Sequence, residues 1–423
     1  MLTSLQPNIV QPHVRTTLRL LALRVERPAA ARAALARLAR GMKSAMQQLE
    51  EMRAFRASGI AGTPYVGIGI SASGYARLGI ERTRWPRDPA FRAGLRERRL
   101  DDPDPSSWER AYRNGIDLLI SVGSQDDELT DRRLGEVEAI LGDSVELLTV
   151  ERSHDLKNDD GVGIEHFGYV DGRSQPLFVD EDLELEPGTA RWNPLVPLAH
   201  VLVPEAGRAD AHRYGSYLVY RKLEQNVRAF KLQERRIAAE LGLTGEDAER
   251  VGALLIGRFE DGTPVTLSDT DGTRPVPNDF TYDHDAAGAR CPLGAHIRLV
   301  NPRDADPGAR VVIARRGQSY GRPSVDRDDI EQAPTGDVGL LFLAVVARLE
   351  QQFESLQRAA NGAGGPVDAI MGQTRPAQAL LSAVWGDATA TPDACPLDPV
   401  VTLRGGEYLF LPSIEMLREL GDG

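Results

Sequence analysis

His296 is the residue whose surroundings suggest chemistry most directly. It is one of seven histidines and stands between Ala295 and Ile297, inside the segment Cys291–Arg303. A histidine in an apolar setting can offer one ring nitrogen to a metal while a hydrogen bond fixes the other nitrogen. An isolated histidine beside apolar residues is more often an ordinary core residue, so His296 alone is only a candidate ligand.

The remaining residues that could bind a metal do not form a cluster in the sequence. The chain has two cysteines, Cys291 and Cys395, with no Cys-x-x-Cys pair, and it has no His-x-x-x-His pair. A zinc or di-iron site built from several side chains is therefore not expected. One axial histidine is sufficient, however, if a porphyrin supplies the other four ligands.

A candidate acid lies in the segment Gly168–Gly172, where Asp171 precedes a glycine. A glycine lets the backbone of a turn approach a flat ligand closely, and the carboxylate could move a proton. Asp-Gly is also a common turn sequence, so this signal is weak when it is considered alone.

A candidate cation follows a strand-like run of Val and Ile that ends in Arg315 and Arg316. Strand alternation sends these two side chains to opposite faces, so we expect one to point inward and the other to face water. An arginine at the end of a strand usually forms a surface ion pair. An inward guanidinium close to a carboxylate could instead stabilise negative charge that develops on oxygen.

Other motifs of common enzyme classes are incomplete. No phosphate-binding Gly-x-x-x-x-Gly-Lys-Ser/Thr segment is present. The segment Gly317–Gly321 spells Gly-x-Ser-x-Gly, but Arg322 and Pro323 follow it where a hydrolase needs a helix. The sequence therefore favours neither a nucleotide-binding protein nor an α/β-hydrolase.

The composition is typical of a soluble globular protein. The chain has 423 residues, 41% of them hydrophobic and 26% charged, and its net charge is −12. The acidic charge disfavours nucleic acid and anionic membranes as partners, and no apolar run is long enough to span a membrane. Met1–Thr17 resembles no secretion or twin-arginine signal, and two cysteines fit a reducing compartment, so we expect a cytoplasmic protein.

These candidate residues must be positioned by elements of alternating type. In the first part of the chain, hydrophobic periodicity predicts an order β-α-β-β-α-β, which is the ferredoxin-like arrangement. The predicted strands are 17–25, 65–70, 116–122 and 145–150, and the predicted helices are 29–52 and 128–141.

A similar order recurs later, without visible repetition of the sequence. It predicts strands at 214–220, 309–314, 338–345 and 408–411 and helices at 224–241 and 347–357. Residues 244–289 are rich in Gly, Pro and Asp and are expected to form a long irregular insert, as are residues 85–107 on a smaller scale. We therefore predict an α+β protein with two domains, 1–190 and 191–423, antiparallel sheets and peripheral helices.

Taken together, the motifs resemble those of the dye-decolourising peroxidases, a family of haem enzymes built from two ferredoxin-like domains. The resemblance spans nearly the whole chain, and the segment around His296 is its most specific part. The matching segments are Gly168–Gly172, Cys291–Arg303 and Arg315–Gly321, with support from Leu255–Phe259, Glu350–Glu354 and Gly405–Ser413.

The resemblance implies a role for each matching residue. His296 would be the proximal ligand of haem b in the C-terminal half, Asp171 the distal acid–base residue and Arg315 the distal cation. Gly172 and Arg303 would also contact the haem, with Arg303 facing a propionate. The family's Asp-Pro pair is replaced here by Asp368-Ala369, and the acceptor for the second nitrogen of His296 is not assigned.

The resemblance also implies a reaction, in which hydrogen peroxide is reduced and bulky dye-like or phenolic reductants are oxidised. The chain could form a homo-oligomer. Two alternatives stay open at this point. The chain could bind or handle haem with incidental peroxidase activity, or it could be a ferredoxin-like interaction module without haem.

Overall fold

The structure is a computed structural model that describes residues 1–207, 213–303, 311–323, 329–363, 365–371 and 376–422. Most of the regular structure belongs to one antiparallel sheet with helices around it. The strands are β1 (Thr17–Val25), β2 (Tyr65–Ser71), β3 (Leu118–Ser124), β4 (Val145–His154), β5 (Leu156–Lys157), β6 (Gly163–Ile164), β7 (Val203–Pro204), β8 (Tyr214–Gln225), β9 (Ala314–Arg315), β10 (Gln318–Tyr320), β11 (Gly339–Val346), β12 (Ala377–Leu381), β13 (Asp393–Leu397) and β14 (Val401–Leu411).

The main sheet closes on itself. Its strands run in the order β8-β14-β2-β3-β1-β4-β10-β11, and β11 pairs with β8 again, so these strands form a barrel. The short strands β7 and β9 attach to β8 and β11. Among the described strands of this sheet, closure leaves no long unpaired edge, which lowers the risk of pairing with another chain.

The two halves of the chain share this barrel and its core. β1–β4 come from the first half, and β8, β10, β11 and β14 come from the second. Buried side chains from both halves, such as Leu20 and Ile68 with Val219 and Leu343, belong to one continuous core. The prediction of an α+β fold with ferredoxin-like, antiparallel sheets is confirmed, and the boundary between residues 190 and 191 stays a prediction.

The helices pack mostly outside the barrel. They are α1 (Pro28–Arg40), α2 (Ala45–Ser58), α3 (Ala72–Arg77), α4 (Pro89–Ala93), α5 (Asp127–Leu141), α6 (Asp180–Leu183), α7 (Val227–Glu240), α8 (Glu246–Ile256), α9 (His296–Val300), α10 (Ser355–Ala360) and α11 (Ile414–Glu419), and a π-helical turn, Glu350–Glu354, precedes α10. Within the described residues, no helix has both the length and the apolar character needed to cross a membrane.

Several predicted elements were wrong in detail. The single helix predicted at 29–52 is two helices, because Gly41 ends α1 and Ser44 starts α2 with a capping box that includes Gln47. The helix predicted from residue 224 begins at Val227, after Asn226 caps it. In the strand predicted at 309–314, residues 309–310 lie outside the described residues, and regular pairing starts only at Ala314.

The insert at 244–289 is less irregular than expected, because it contains helix α8. The second half of this helix, from Val251 to Ile256, is buried. The high content of Gly, Pro and Asp in the rest of the insert hid this short apolar run. α8 packs against α7, and its C-terminal residue contributes to the cavity described next.

Candidate active site

A large cavity lies against one side of the barrel sheet. Arg221 and Leu223 of β8 and Leu340 and Phe342 of β11 line it, and these residues alternate with buried core residues of the same strands. The other walls come from the segment after β6, from α8 and α9, and from the π-helical turn with α10. His296, Asp171, Gly172, Arg303 and Arg315 all line this one cavity.

His296 is the first residue of α9, and its ring orientation is fixed by a carboxylate. Its Nδ1 lies 2.7 Å from Oδ2 of Asp368, whose side chain is fully buried. The backbone N–H groups of Ile370 and Met371 donate to Oδ1 of the same carboxylate at 2.7 and 3.1 Å. Burial lowers the pKa of His296, but the charge and hydrogen bond of Asp368 outweigh it, so the net pKa is raised.

This contact determines which nitrogen of His296 is available. A proton on Nδ1 that points to Asp368 leaves Nε2 with its lone pair, as in a typical ligand histidine. Nε2 makes no hydrogen bond to any part of the chain that the structure describes. Asp368 was not predicted from the sequence as the acceptor for His296. The only signal was its position in the Asp368-Ala369 departure from the family pattern.

Asp171 and Arg315 form an ion pair at another wall of the cavity. Nη1 of Arg315 lies 2.8 Å from Oδ1 of Asp171, and the two side chains are 32% and 35% exposed, so both can reach a molecule in the cavity. Nη2 of Arg315 donates to the carbonyl of Arg173 at 2.8 Å, and the Arg315 N–H donates to the Gln175 side chain at 3.0 Å. Hydrogen bonds within the chain therefore hold Arg315 in place beside Asp171.

The neighbouring Arg316 corrects a prediction. It was expected to face water when Arg315 points inward, but it is only 3% exposed. Its Nε and Nη2 donate to the carbonyls of Asn8 and Ile9, both at 2.8 Å. Burial, together with the charge of Arg15, lowers its pKa to about 9. The outward side of this strand is covered by the N-terminal segment, which strand alternation alone could not reveal.

Gly172 leaves space at the cavity wall. Its φ of +88° lies in the left-handed region that side-chain-bearing residues rarely adopt, and no atom lies within 4 Å of the position that a Cβ would take. Its N–H donates to Oδ1 of Asp171 at 2.6 Å. A flat ligand can therefore approach this backbone without meeting a side chain.

Two buried arginines form a positively charged wall around Phe280. The guanidinium of Arg303 lies 3.8 Å from the centre of the Phe280 ring and 4.1 Å from that of Trp192, and the guanidinium of Arg258 lies 5.4 Å from Phe280. Burial and the charge of Arg303 lower the pKa of Arg258 to about 9. Arg258 makes no ion pair with any described residue, so a ligand that carries carboxylates would compensate this charge.

Comparison with protein families gives a match over most of the chain. Residues 6–154 match the family model described as the DyP dimeric alpha+beta barrel domain, and residues 197–384 match the model of the C-terminal part of Dyp-type peroxidases. The chain is also 43% identical to the multifunctional dye peroxidase DyP2 of Amycolatopsis sp. (strain ATCC 39116 / 75iv2), across 99% of the chain and 96% of that protein. The chain belongs to the DyP-type peroxidase family.

Solved structures of DyP-type peroxidases agree with this fold. DyP2 from Amycolatopsis superimposes with a TM-score of 0.94 at 42% identity, covering 99% of this chain and 96% of that one. The DyP-type peroxidase of Anabaena sp. gives 0.91 at 33% identity, covering 99% and 94%. A dye-decolorizing peroxidase solved with 2,6-dimethoxyphenol gives 0.83 at 25% identity, covering 99% and 98%.

Membership in this family makes the chain a haem-binding peroxidase of the dye-decolourising type, as the motifs predicted, and not an interaction module. One relative has a different name. A deferrochelatase of Yersinia pestis is 31% identical, but the match covers only 25% of this chain and 25% of that protein. The roles of Asp171, Arg315, His296, Gly172 and Arg303 stay predictions at this point.

Proposed function

We propose that the chain reduces hydrogen peroxide on haem b, with His296 as the iron ligand, Asp171 as the residue that moves the proton and Arg315 as the distal cation. The electrons would come from bulky dye-like or phenolic reductants. The observation that supports this assignment is that the ion-paired Asp171 and Arg315 line the same cavity as His296, whose Nε2 keeps its lone pair when the proton on Nδ1 points to Asp368.

The residues of the cavity fit a haem. His296 Nε2 would donate to the iron, the missing side chain at Gly172 would leave room for a flat ring, and Arg303 and Arg258 would offer positive charge to propionates. When bound, the haem supplies the iron that exchanges electrons with the peroxide oxygens. The Asp368 carboxylate makes the imidazole a stronger donor, which favours the oxidised metal.

The chemistry of peroxide reduction needs a proton moved from one oxygen to the other. Asp171 can accept the proton from the first oxygen and return it to the second, the one that leaves as water. Arg315 lies 2.8 Å from this carboxylate, and its fixed positive charge stabilises the negative charge that develops on oxygen as the O–O bond breaks. Neither residue has to reorganise, because both are already hydrogen-bonded to the backbone.

We also propose a homo-oligomer and a cytoplasmic location. The description of the N-terminal family domain as dimeric supports the first. The second is supported by Cys291 and Cys395, which are both buried and free, as expected in a reducing compartment. Size-exclusion chromatography with light scattering and cell fractionation would measure the two properties.

The test uses Asp171→Asn and Arg315→Leu in the haem-loaded enzyme. We expect peroxide-driven dye bleaching to fall by roughly 10²–10⁴-fold for Asp171→Asn and roughly 10²–10³-fold for Arg315→Leu. The Soret band should be retained in both variants, because neither residue is the iron ligand. Asp160→Asn is the matched control, since Asp160 is an exposed carboxylate paired with Arg274.

Wild-type bleaching rates in both variants would refute the assigned roles. The alternative of a haem-handling protein has its own readout, which is transfer of haem to an apo-acceptor such as apomyoglobin. Transfer of haem without peroxide turnover by the wild type would favour that alternative over the proposed function.

A further inference from the structure

Glu165 is a carboxyl group that the reaction described above does not use. It lines the large cavity, and it also lines a second, outer cavity between the 164–168 turn and helix α7. Phe167 is shared by the two cavities in the same way, but its ring cannot exchange protons. The outer cavity reaches the surface, because Arg235 and Glu260 on its rim are exposed.

The backbone places Glu165 near Asp171. Ile164 and Val170 form an antiparallel bridge, so residues 165 and 169 are opposite each other and 171 is the next residue on the same face. Diagonal neighbours of this kind lie about 7–8 Å apart, a distance that one or two water molecules can span by hydrogen bonds. Both side chains line the large cavity, where such waters would sit.

Local contacts hold the Glu165 carboxylate without fixing its protonation state. The N–H groups of Phe167 and Tyr169 donate to it at 2.9 and 3.0 Å, and the side chain of Gln225 donates as well. Burial raises its pKa to about 7; these hydrogen bonds oppose the rise and the charge of Asp171 adds to it. Both forms of this carboxyl are therefore populated near neutral pH, as a group that passes protons on requires.

The stoichiometry of the reaction requires a supply of protons to the cavity. One hydrogen peroxide takes up two electrons and two protons to give two waters, whereas Asp171 only moves a proton between the two oxygens. Two phenol molecules supply the two electrons, becoming two phenoxyl radicals and releasing two protons. When a bulky phenol or dye is oxidised outside the filled cavity, those protons are released outside too. Two protons must therefore enter the cavity from solvent in each turnover.

We propose that Glu165 is a relay residue that carries these protons from the outer cavity to Asp171. This inference rests on the proposed peroxidase function. Other charged or titratable groups also line the two cavities and set the local field. In the large cavity they are Tyr169, Asp171, Arg173, Arg221, Arg258, His296, Arg303 and Arg315, and in the outer cavity they are His166, Lys231, Glu234, Arg235, Glu249 and Glu260. Of these, Lys231, Glu234 and Glu260 form a linked ion cluster in the outer cavity, away from the iron ligand.

The test compares Glu165→Gln with Glu234→Gln in the haem-loaded enzyme. Glu234 is the matched control, because it is a carboxyl of the outer cavity whose pKa burial also raises, and it does not line the large cavity. We expect steady-state turnover with a phenol to fall about tenfold or more in Glu165→Gln, with loss of the inflection near neutral pH in the pH profile. Glu234→Gln should keep both. In both variants, the change in the haem spectrum after mixing with peroxide alone should keep its wild-type rate, because that step needs no net proton.

Two further measurements separate a relay from a structural role. Glu165→Asp keeps a titratable group and should recover part of the turnover and the inflection. In the apoprotein, infrared spectroscopy should detect protonated carboxyls that titrate near neutral pH in wild type. Glu165→Gln should remove one of these signals, while the signal of Glu407, whose pKa is also raised to about 7, should remain.

The possible outcomes are distinct. Wild-type turnover and pH profile in Glu165→Gln would overturn the relay, as would identical behaviour of Glu165→Asp and Glu165→Gln or an infrared spectrum of Glu165→Gln that has lost none of these signals. An unimpaired Asp171→Asn variant would instead overturn the proton-moving role of Asp171 on which the relay rests.

Discussion

His296 and Asp368 are 72 positions apart in the chain, yet a 2.7 Å hydrogen bond joins them. The histidine could be selected from the sequence because its own neighbours are distinctive. Its acceptor could not, because side-chain partners this distant in the chain have no local signature. The same reason explains the error at Arg316, whose acceptors Asn8 and Ile9 lie about 300 residues away. At the scale of residues, the sequence predicted side chains that line one cavity better than it predicted the hydrogen-bond partners of those side chains.

Substituting Asp368 by Asn tests the charge of this partner. The amide keeps a group that can accept from Nδ1 but removes the negative charge, so the imidazole becomes a weaker donor. We expect the Fe(III)/Fe(II) reduction potential of the loaded enzyme to rise and peroxide turnover to fall by about 10–100-fold. Spectroelectrochemical titration measures the potential, with the exposed Asp393→Asn as a control. A potential equal to that of wild type would contradict the role given to Asp368.

At the scale of elements, strand β14 shows what periodicity could and could not predict. Only residues 408–411 were predicted as its strand, whereas pairing with β8 begins at Val401. The pair Gly405-Gly406 lies just before the predicted strand, and glycine weakens strands. In the structure the register shifts at a bulge there, and a Cβ at Gly405 would lie 2.2 Å from the ring of Tyr112. Close packing, which the sequence does not show, requires these glycines inside the strand.

Glu407 of β14 makes the stability of the folded protein depend on pH. It is 6% exposed, and it accepts hydrogen bonds from the N–H groups of Leu95 and Tyr408 at 3.0 and 2.9 Å. Burial raises its pKa from 4.5 to about 7, although these hydrogen bonds oppose the rise. Because the folded state binds this proton more tightly, the stabilisation is complete below pH 4.5 and is lost as the pH rises through about 7.

The substitution Glu407→Gln should remove this contribution. Between about pH 4.5 and about pH 7, the free energy of unfolding of wild type should fall by about 3 kcal/mol more than that of the variant. Urea unfolding at several pH values measures the difference. The pKa of Glu165 is also raised in the folded protein, so the free energy of unfolding of Glu407→Gln still depends on pH. Parallel curves for the two proteins would show that Glu407 does not titrate in this range.

At the scale of the whole molecule, two ferredoxin-like halves were predicted, but their union into one barrel was not. Hydrophobic periodicity reveals strands and their buried faces, whereas pairing between strands far apart in the chain depends on the complete fold. The two seams between the halves are short. β14 meets β2 through Leu409 and Phe410, and β10 meets β4 at Tyr320 and Ser153.

Dividing the chain at the predicted boundary tests how far the halves depend on each other. Segment 1–190 alone would expose the edges of β2 and β4, and segment 191–423 would expose those of β14 and β10. Exposed edges pair with other chains, so we expect each segment to aggregate when produced alone and the two together to form a haem-binding complex. Light scattering and the Soret band measure these outcomes, with the undivided chain as reference. A monomeric segment 1–190 that unfolds cooperatively would contradict the expectation.

The place of β14 in the barrel also dictates an order of events at the ribosome. This strand lies between β8 and β2, although it follows every other described strand in the chain. Until residue 411 has left the exit tunnel, β2 and β8 each lack a neighbour in the sheet, and β14 cannot fix the position of Val401 in the cavity wall. We therefore expect capture of the prosthetic group to follow translation rather than accompany it, so that a nascent polypeptide stalled before β14 is colourless even when haem is abundant.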